Sequence, residues 1–406
     1  MNPRFIEEMG WRMGEVYAAV TDRILINLAR HFPFIASGGI PGGAWDYQVR
    51  KLAELGQVTR ETEQIILESM EGGDAALAGI LEEVIRASLE KVDKPLRQAA
   101  EKGLLMGQGF VPPKVSPRQM QAFKAYYQQS ADKMNLVNTV MLESTQRVYQ
   151  ETVTDIVGEM LIAEKIYNTQ GILNVATGEV LTGVSSLNQA VRDGVQKMVE
   201  NGITGFIDHG DHHWSPEAYI TMDIRTTVAN TGRAAVTEEM ERFGCDLFSV
   251  SYHDGARPLC YPWQGKVISE SNWTGEVEDL DGGKIHVYAL NETSYGEPAG
   301  LFGINCGHFK IPFVPGFSKV RRPTQDKEAN DKEYEQSQQQ RALERNYRNA
   351  KRDLMVAKAR NDEEEIKKAR IGVKNARTKL DDFCDETGRA RRSGREQTPI
   401  KASWPD

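Results

Sequence analysis

Two stretches of this chain leave the backbone little freedom, and they constrain how everything around them must pack. The first runs from Ser249 to Lys266 and the second from Gly300 to Gly316. Gly255, Gly265, Gly303, Gly307 and Gly316 admit positive φ, while Pro258, Pro262, Pro312 and Pro315 fix φ and remove a donor. Tyr252, Tyr261, Trp263, Phe302, Phe309 and Phe313 are interleaved with them. A solvated linker does not carry so many large apolar groups. The pattern predicts rigid, packed loops with Cys260, Cys306, His253 and His308 inside them.

Ahead of the loops, apolar periodicity predicts helices. Residues 1–31 read as one amphipathic helix, with Phe5, Met9, Met13, Val16, Val20, Ile24 and Leu28 at three- and four-residue steps. The Gly-rich segment 37–43 is a loop. A short helix is expected over 45–55, and a second from an N-cap at Thr59 to about Met70. Asp74 is expected to cap a third, which carries Leu77, Ile80, Leu81, Val84, Ile85 and Leu89 inward. Gly103 to Pro117 breaks the pattern, and Ser116-Pro117 opens a long helical stretch to about residue 169. A turn at 174–178 precedes a helix from Ser185 to Asn201. One helix or two is expected from Pro216 to Phe243. Strands are expected over 203–208, 246–252, 266–269 and 284–290.

The C-terminal part is helical and highly charged. Leu343, Tyr347, Ala350, Leu354 and Ala357 form one apolar series, and Ile366, Ala369, Val373, Ala376, Leu380 and Phe383 another. Between them, Asp362 with Glu365 three residues later resembles a capping box. An antiparallel hairpin is therefore expected rather than one long rod. After Gly388 the chain is Arg-rich. The fold class expected is α+β. It comprises an all-α N-terminal region over 1–173 and a small α+β body with irregular Gly- and Pro-rich loops over 174–323. A charged helical hairpin over 324–387 and an extended tail over 388–406 complete it.

Charge divides the chain in the same way. Its net charge of −8 conceals 23 Lys and Arg against 17 Asp and Glu from Phe317 onward, and 27 against 41 before it. An acidic body with a basic end suggests two kinds of partner, the basic end being suited to nucleic acid, although a solvated face explains either sign. No apolar run is long enough to span a bilayer. Glu7, Glu8 and Glu15 interrupt the apolar positions at the N-terminus, which is unlike a signal peptide. Cys245, Cys260, Cys306 and Cys384 show no C-x-x-C spacing and read as reduced thiols of a protein made in a bacterial cytoplasm.

The two loops resemble the minor capsid protein 2 family of tailed phages. The first match is the strand from Ser249 followed by His253, Gly255, Arg257 and Pro258, then Trp263, Gly265 and Lys266. The second is Asn305, Cys306 and His308, then Pro312, Pro315 and Gly316. Weaker similarity extends over most of the chain, including Arg225-Thr226-Thr227 and Ser393 to Gln397. One departure is Gly307, where the family implies a basic residue. The family is also distantly similar to Mu-type head-morphogenesis proteins. The resemblance implies a structural protein, not an enzyme, placed in the capsid interior at the portal vertex after assembly in the host cytoplasm. It would be present in several copies through the portal ring and serve head morphogenesis, DNA packaging or DNA ejection. Its partners would be the portal protein, neighbouring head proteins and packaged double-stranded DNA, with no membrane and no cofactor. The motif residues would have structural roles. Arg389, Arg391, Arg392 and Arg395 are the candidates for contact with DNA.

Two chemical alternatives are weighed against this. Asp208-His209-Gly210-Asp211-His212-His213 contains metal-competent side chains, and neighbouring loops would add His253, Cys306 or His308. Its spacing matches no helical or finger pattern, and a polar turn after a strand is the better explanation. His209, His212 and His213 are accordingly weak metal candidates. Arg225, the strand Ser249–Ser251 and Glu276–Glu278 would supply an ADP-ribosyltransferase-like set, at spacings short for that family. A metal-dependent nuclease is the other enzymatic alternative. No phosphate-binding glycine motif or nucleophile elbow is visible.

Overall fold

A computed structural model describes residues 3–35, 43–71, 73–105, 117–170, 181–321 and 325–397. It is α+β. The helices α1 (Pro3–Arg30), α2 (Gly43–Met70), α3 (Gly73–Glu101) and α4 (Pro117–Gln170) come first, followed by α5 (Leu181–Asn201). A hairpin of β1 (Phe206–Ile207) and β2 (His213–Trp214) leads into α6 (Pro216–Arg242). Then come β3 (Leu247–Val250), β4 (Val267–Ser269), β5 (Gly275–Glu278), β6 (Lys284–Ala289) and β7 (Lys310–Pro312). The helices α7 (Lys327–Ala359), α8 (Glu363–Thr387) and α9 (Ser393–Glu396) end the described chain. The loop expected at 37–43 falls almost wholly outside the described residues, as does the turn at 174–178.

Contacts divide the chain into two compact units. The first gathers Met1–Gly14, Gly72–Met134 and Ile220–Gln339, and the second Glu15–Glu71, Asn135–Tyr219 and Gln340–Asp406.

The first unit is built on a five-stranded sheet in the order β5-β6-β4-β3-β7, antiparallel except for the parallel pair β4–β6. Successive side chains of a strand point to opposite faces, and the burial follows that rule. Phe248, Val250 and Ile268 pack on one face with Val92 and Leu96 of α3 and Val236 and Met240 of α6. Leu247, Val267 and Val287 pack on the other beneath Phe313. Strand β3 is buried along its whole length, because it lies between two partners and under both layers. Along α6 within this unit, Ile224, Val228, Val236 and Met240 are buried, and so are Asp223, Thr227, Arg233 and Glu239. A helix buried on all sides has no polar stripe, so the polar groups that it carries inward must find partners there.

The second unit is helical apart from the β1–β2 hairpin. Val137, Met141, Tyr149, Val153 and Ile156 of α4 are all buried. From Gln340 onward α7 and α8 form the expected antiparallel pair, with Tyr347, Leu380 and Cys384 buried between them against Leu343, Val373 and Ala376. Asp362 caps α8 by accepting from the Glu365 N–H at 3.3 Å. Its carboxylate also takes both arms of Arg192, at 2.8 and 2.9 Å. Deeper in, Arg352 lies between Asp22 and Glu217, at 2.6 and 3.0 Å.

Three expectations need correction. Helix α2 is continuous where a break before Thr59 was expected. The Thr59 hydroxyl donates to the Leu55 carbonyl at 2.9 Å, four residues back, so it is satisfied within the helix and caps nothing. Strands β5 and β7 were not expected, and the strand expected over 203–208 is only Phe206–Ile207. The described part of the Arg-rich tail is not extended. It folds back along α7: Gln340 donates to the Ala390 carbonyl at 3.0 Å, and Lys351 to the Glu396 carbonyl at 2.7 Å.

Candidate functional site

The two Gly- and Pro-rich stretches form one body within the first unit. The first leaves β3 and returns to β4. The Gly265 N–H donates to the Val250 carbonyl at 2.9 Å, and the Val250 N–H to the Lys266 carbonyl at 3.0 Å, which closes its neck. Inside, Pro262 sits in a single 3-10 turn, Tyr261–Trp263. Gln264 is buried and accepts from the His253 N–H at 2.7 Å. The second stretch is stitched to the first mainly through backbone. Ser251 N–H donates to the Phe309 carbonyl at 2.9 Å, and Phe309 N–H to the Ser251 hydroxyl at 2.8 Å. The Ser294 hydroxyl donates to the Leu259 carbonyl at 2.7 Å and accepts from Leu301 N–H at 3.0 Å.

Two arginines complete the stitching. Arg257 donates to the carbonyls of Ile304, at 2.8 Å, and Gly300, at 3.2 Å. Arg233, buried on α6, donates to the carbonyls of His308 and Phe302, both at 3.1 Å. Irregular backbone leaves carbonyls without ladder partners, and a planar five-donor group can satisfy several together. Asp246 is engaged elsewhere, accepting from Ser271 N–H and hydroxyl at 2.9 and 2.7 Å.

The other motif residues fall into place around this frame. Trp263 meets Tyr288 of β6 edge to face at 5.8 Å, and the Lys266 ammonium lies over the same ring at 5.4 Å. Those two therefore anchor the first loop to the sheet. Asn305 has a positive φ of 59° and donates its N–H to Thr226 at 3.1 Å. Pro312 ends β7 opposite Phe248, at the sheet edge where a missing donor is tolerated. Gly255, Gly265 and Gly316 have φ of 68°, 67° and 68°. Asn330, at the start of α7, was not singled out by the sequence. It donates to the Ala256 carbonyl at 2.9 Å and accepts the Ala256 N–H at 2.8 Å. An asparagine in a charged helix gives no sign of that role.

At the centre lie Cys260, Cys306 and His308, each at most 2 % exposed. The two sulfurs are 3.9 Å apart, and Cys306 Sγ is 3.4 Å from His308 Nδ1. Phe302 N–H donates to Cys306 Sγ at 3.2 Å, and Arg257 approaches Cys260 Sγ at 3.8 Å. The contact with the Cys260 thiol holds Cys306 well below the usual thiol range, helped by His308 and Arg233 against the effect of burial. The same contact, with burial, pushes Cys260 up. The His253 ring stacks on His308 at 4.4 Å. Among the described residues these three are the set of His, Cys, Asp and Glu whose ligand atoms converge, all within 4.8 Å.

The histidine-rich turn belongs to the second unit and is built differently. Asp208 accepts from the N–H groups of Gly210 and His212, both at 2.9 Å, and from Trp214 Nε1 at 3.1 Å. Its carboxyl is held well below the usual range, first by the His212 N–H and then by Trp214. His212 Nδ1 is 3.0 Å from the same carboxylate, and His213 Nδ1 is 3.1 Å from the Thr204 hydroxyl. These contacts close a turn between β1 and β2, and His209 is an exposed residue of that turn. The transferase-like set does not assemble. Ser249 lies on β3 and Glu276 and Glu278 on β5, with β4 and β6 between. Three strand spacings put them roughly 14 Å apart, too far to share one ribose.

The four tail arginines are half-buried. Arg389 donates to Gln340 at 2.8 Å, Arg391 pairs with Asp381 and Glu396, and Arg395 lies 3.5 Å from Glu344. A different basic surface is present on α8. From Ile366 to Leu380 there is no acidic residue, and Lys367, Lys368, Arg370, Lys374, Arg377 and Lys379 are all exposed. No described helix is long and apolar enough to cross a membrane.

No solved structure matches the chain. A "Structural protein" of Lactococcus phage LL-H is 27% identical over 311 residues, covering 75% of this chain and 75% of that protein. The family model described as phage minor capsid protein 2 matches residues 1–385, which takes in both loops, the sheet and the hairpin, and the chain therefore belongs to the phage minor capsid protein 2 family.

Proposed function

We propose that this minor capsid protein acts without chemistry of its own, bound inside the head at or near the portal vertex, in head morphogenesis, DNA packaging or ejection. The observation that carries the non-enzymatic part is the direction of the motif's polar groups. Arg233, Arg257, Gln264, Ser294 and Asn330 all bond to the chain's own loop backbone. Such groups hold a shape. Spent on the chain's own backbone, these five are not available to converge on a reacting atom of a substrate. The family's likeness to Mu-type head-morphogenesis proteins supports the portal position, and the name of the phage LL-H relative supports a place in the virion.

In this reading the DNA-facing element is α8 rather than the half-buried tail arginines, of which Arg391 and Arg395 face the chain's own carboxylates and Arg389 the Gln340 amide. Lys367, Arg370, Lys374 and Lys379 are exposed on a stretch with no acid between Ile366 and Leu380, while Lys368 and Arg377 reach Glu365 and Asp381 at its ends, and such a surface suits a phosphate backbone. Co-expression with the portal protein of the same phage, with masses read by light scattering, tests the position. A ring-sized complex carrying this chain is expected. A portal ring running apart from free minor protein would remove the proposal. For DNA, the measurement is the slope of log affinity against log salt. Replacing Lys374 with Glu should lower that slope by about one, and an unchanged slope would exclude α8 as the contact.

A further inference from the structure

We propose that Cys260, Cys306 and His308 form a metal site of the zinc class that locks the two loops together. This goes beyond the head-protein reading and does not depend on it.

The geometry carries the inference. A tetrahedral ion with sulfur ligands at about 2.3 Å and an imidazole nitrogen at about 2.0–2.1 Å places two sulfurs roughly 3.8 Å apart and a sulfur and nitrogen roughly 3.6 Å apart. The corresponding separations here are 3.9 and 3.4 Å. Two of the three separations therefore match such a polyhedron, and all three ligand atoms lie within 4.8 Å of one another. Two thiolates and an imidazole are a soft donor set that favours zinc over oxygen-seeking cations such as magnesium or calcium.

The surroundings are those of a ligating thiolate. Phe302 N–H points at Cys306 Sγ at 3.2 Å, and Arg257 lies 3.8 Å from Cys260 Sγ. Donors of this kind orient sulfur ligands and moderate their charge. His308 is 1 % exposed, and its Nε2 has no hydrogen-bond partner among the described residues. His253 is stacked on it, and its buried Nε2 also lacks one. His253 stacks on His308 but stands outside the converging set, so it walls the site rather than completing it. Binding would release the thiol protons to solvent, leaving two sulfur–metal bonds and an imidazole–metal bond. The ion would join residues 46 positions apart in sequence, one from each loop.

The test uses the full chain, carried on an affinity tag without histidine and purified without chelator. Elemental analysis by mass spectrometry should find zinc equimolar with protein. Exchange with cobalt(II) should give sulfur-to-cobalt charge-transfer bands and tetrahedral d–d bands. Both signals should fall to background in the Cys260→Ser/Cys306→Ser double variant. Because that variant can fail to fold, the native protein is also titrated with an organomercurial. Zinc should then leave in step with modification of the buried thiols. Native protein that holds no metal and takes up no cobalt would overturn the proposal. So would a Cys260–Cys306 disulfide in protein isolated without reductant. Metal retained by a folded double variant would place the ion elsewhere, and would overturn it as well.

Discussion

The two-loop motif and the network around Arg352 both bury guanidinium groups, and they satisfy them in opposite ways. In the motif, Arg233 and Arg257 donate to main-chain carbonyls, so what they fix is the path of the backbone. In the network, Arg352 lies between the carboxylates of Asp22 and Glu217, so what it fixes is a charge balance. Burial pushes the Asp22 carboxyl up despite Arg352, while Arg352 holds Glu217 down against the same burial. The difference teaches where each region is vulnerable. A carbonyl does not titrate, so the motif depends on the shape of its donors. The network depends on charges that must remain matched.

The largest effect is expected from unmatching them. Arg352→Met leaves two carboxylates buried without their cation and should cost about 3–5 kcal/mol in chemical denaturation. Adding Asp22→Asn and Glu217→Gln should return most of that loss, since replacing a whole buried charge set is often neutral. If the triple variant is as unstable as the single one, packing of the Arg352 stem matters rather than charge, and the contrast fails.

Next comes the motif. Arg233→Lys keeps the charge but offers a single ammonium in place of a fork that reaches two carbonyls 6 residues apart. A loss of about 2–3 kcal/mol is expected, close to that of Arg233→Met, because buried carbonyls are left unmade in both. Full stability in the lysine variant would show that charge alone suffices there too, and would merge the two regions into one case.

How far these regions were legible follows from the kind of contact. The hairpin was readable because its two apolar series and the acidic stretch holding Asp362 are local. The loops were readable as rigid because Gly, Pro and aromatic residues carry that information in their own chemistry. Strand β5 carried a usable sign, with Val277 inward between Glu276 and Glu278, but two glutamates invite a catalytic reading. Strand β7 was hidden by Pro312, which argues against a strand anywhere but at an edge. The convergence of Cys260 with Cys306 and His308 has no local signature at all. It arises only when the fold brings the two loops together, and the Asn330 clasp on Ala256, 74 residues apart, is hidden in the same way. Each compact unit likewise collects three distant stretches of chain, which no linear division shows.

A smaller effect separates the regions by pH. Glu344, in the second unit, is 1 % exposed, and burial raises its carboxyl to about 7 from 4.5, with Glu396 adding to the rise and Arg392 and Arg348 opposing it. A carboxyl raised on folding contributes stability that is fully present below about 4.5 and is lost as pH climbs through 7. Glu344→Gln should therefore stabilise the protein by about 1–3 kcal/mol at pH ~8 and by almost nothing at pH ~4.5. Melting curves at the two pH values decide this. A gain that is equal at both would mean that Glu344 is not charged in the folded protein near neutrality.

The smallest effects are expected at two glycines of the motif, and comparing them isolates strain from crowding. Both Gly255 and Gly316 have a φ of 68°, where a Cβ costs about 1–2 kcal/mol. A Cβ on Gly316 would meet nothing within 4 Å, so Gly316→Ala should show that strain alone. A Cβ on Gly255 would lie 3.2 Å from Glu333 Cγ and 3.3 Å from the Tyr334 nitrogen on α7. Gly255→Ala should therefore cost more, and part of the excess should disappear when Glu333 is also cut to Ala. The Tyr334 backbone cannot retreat so easily, so the recovery should be incomplete. Equal losses at the two sites would mean that α7 yields freely at its first turns, and the Asn330 clasp would then be holding the loop against a movable wall.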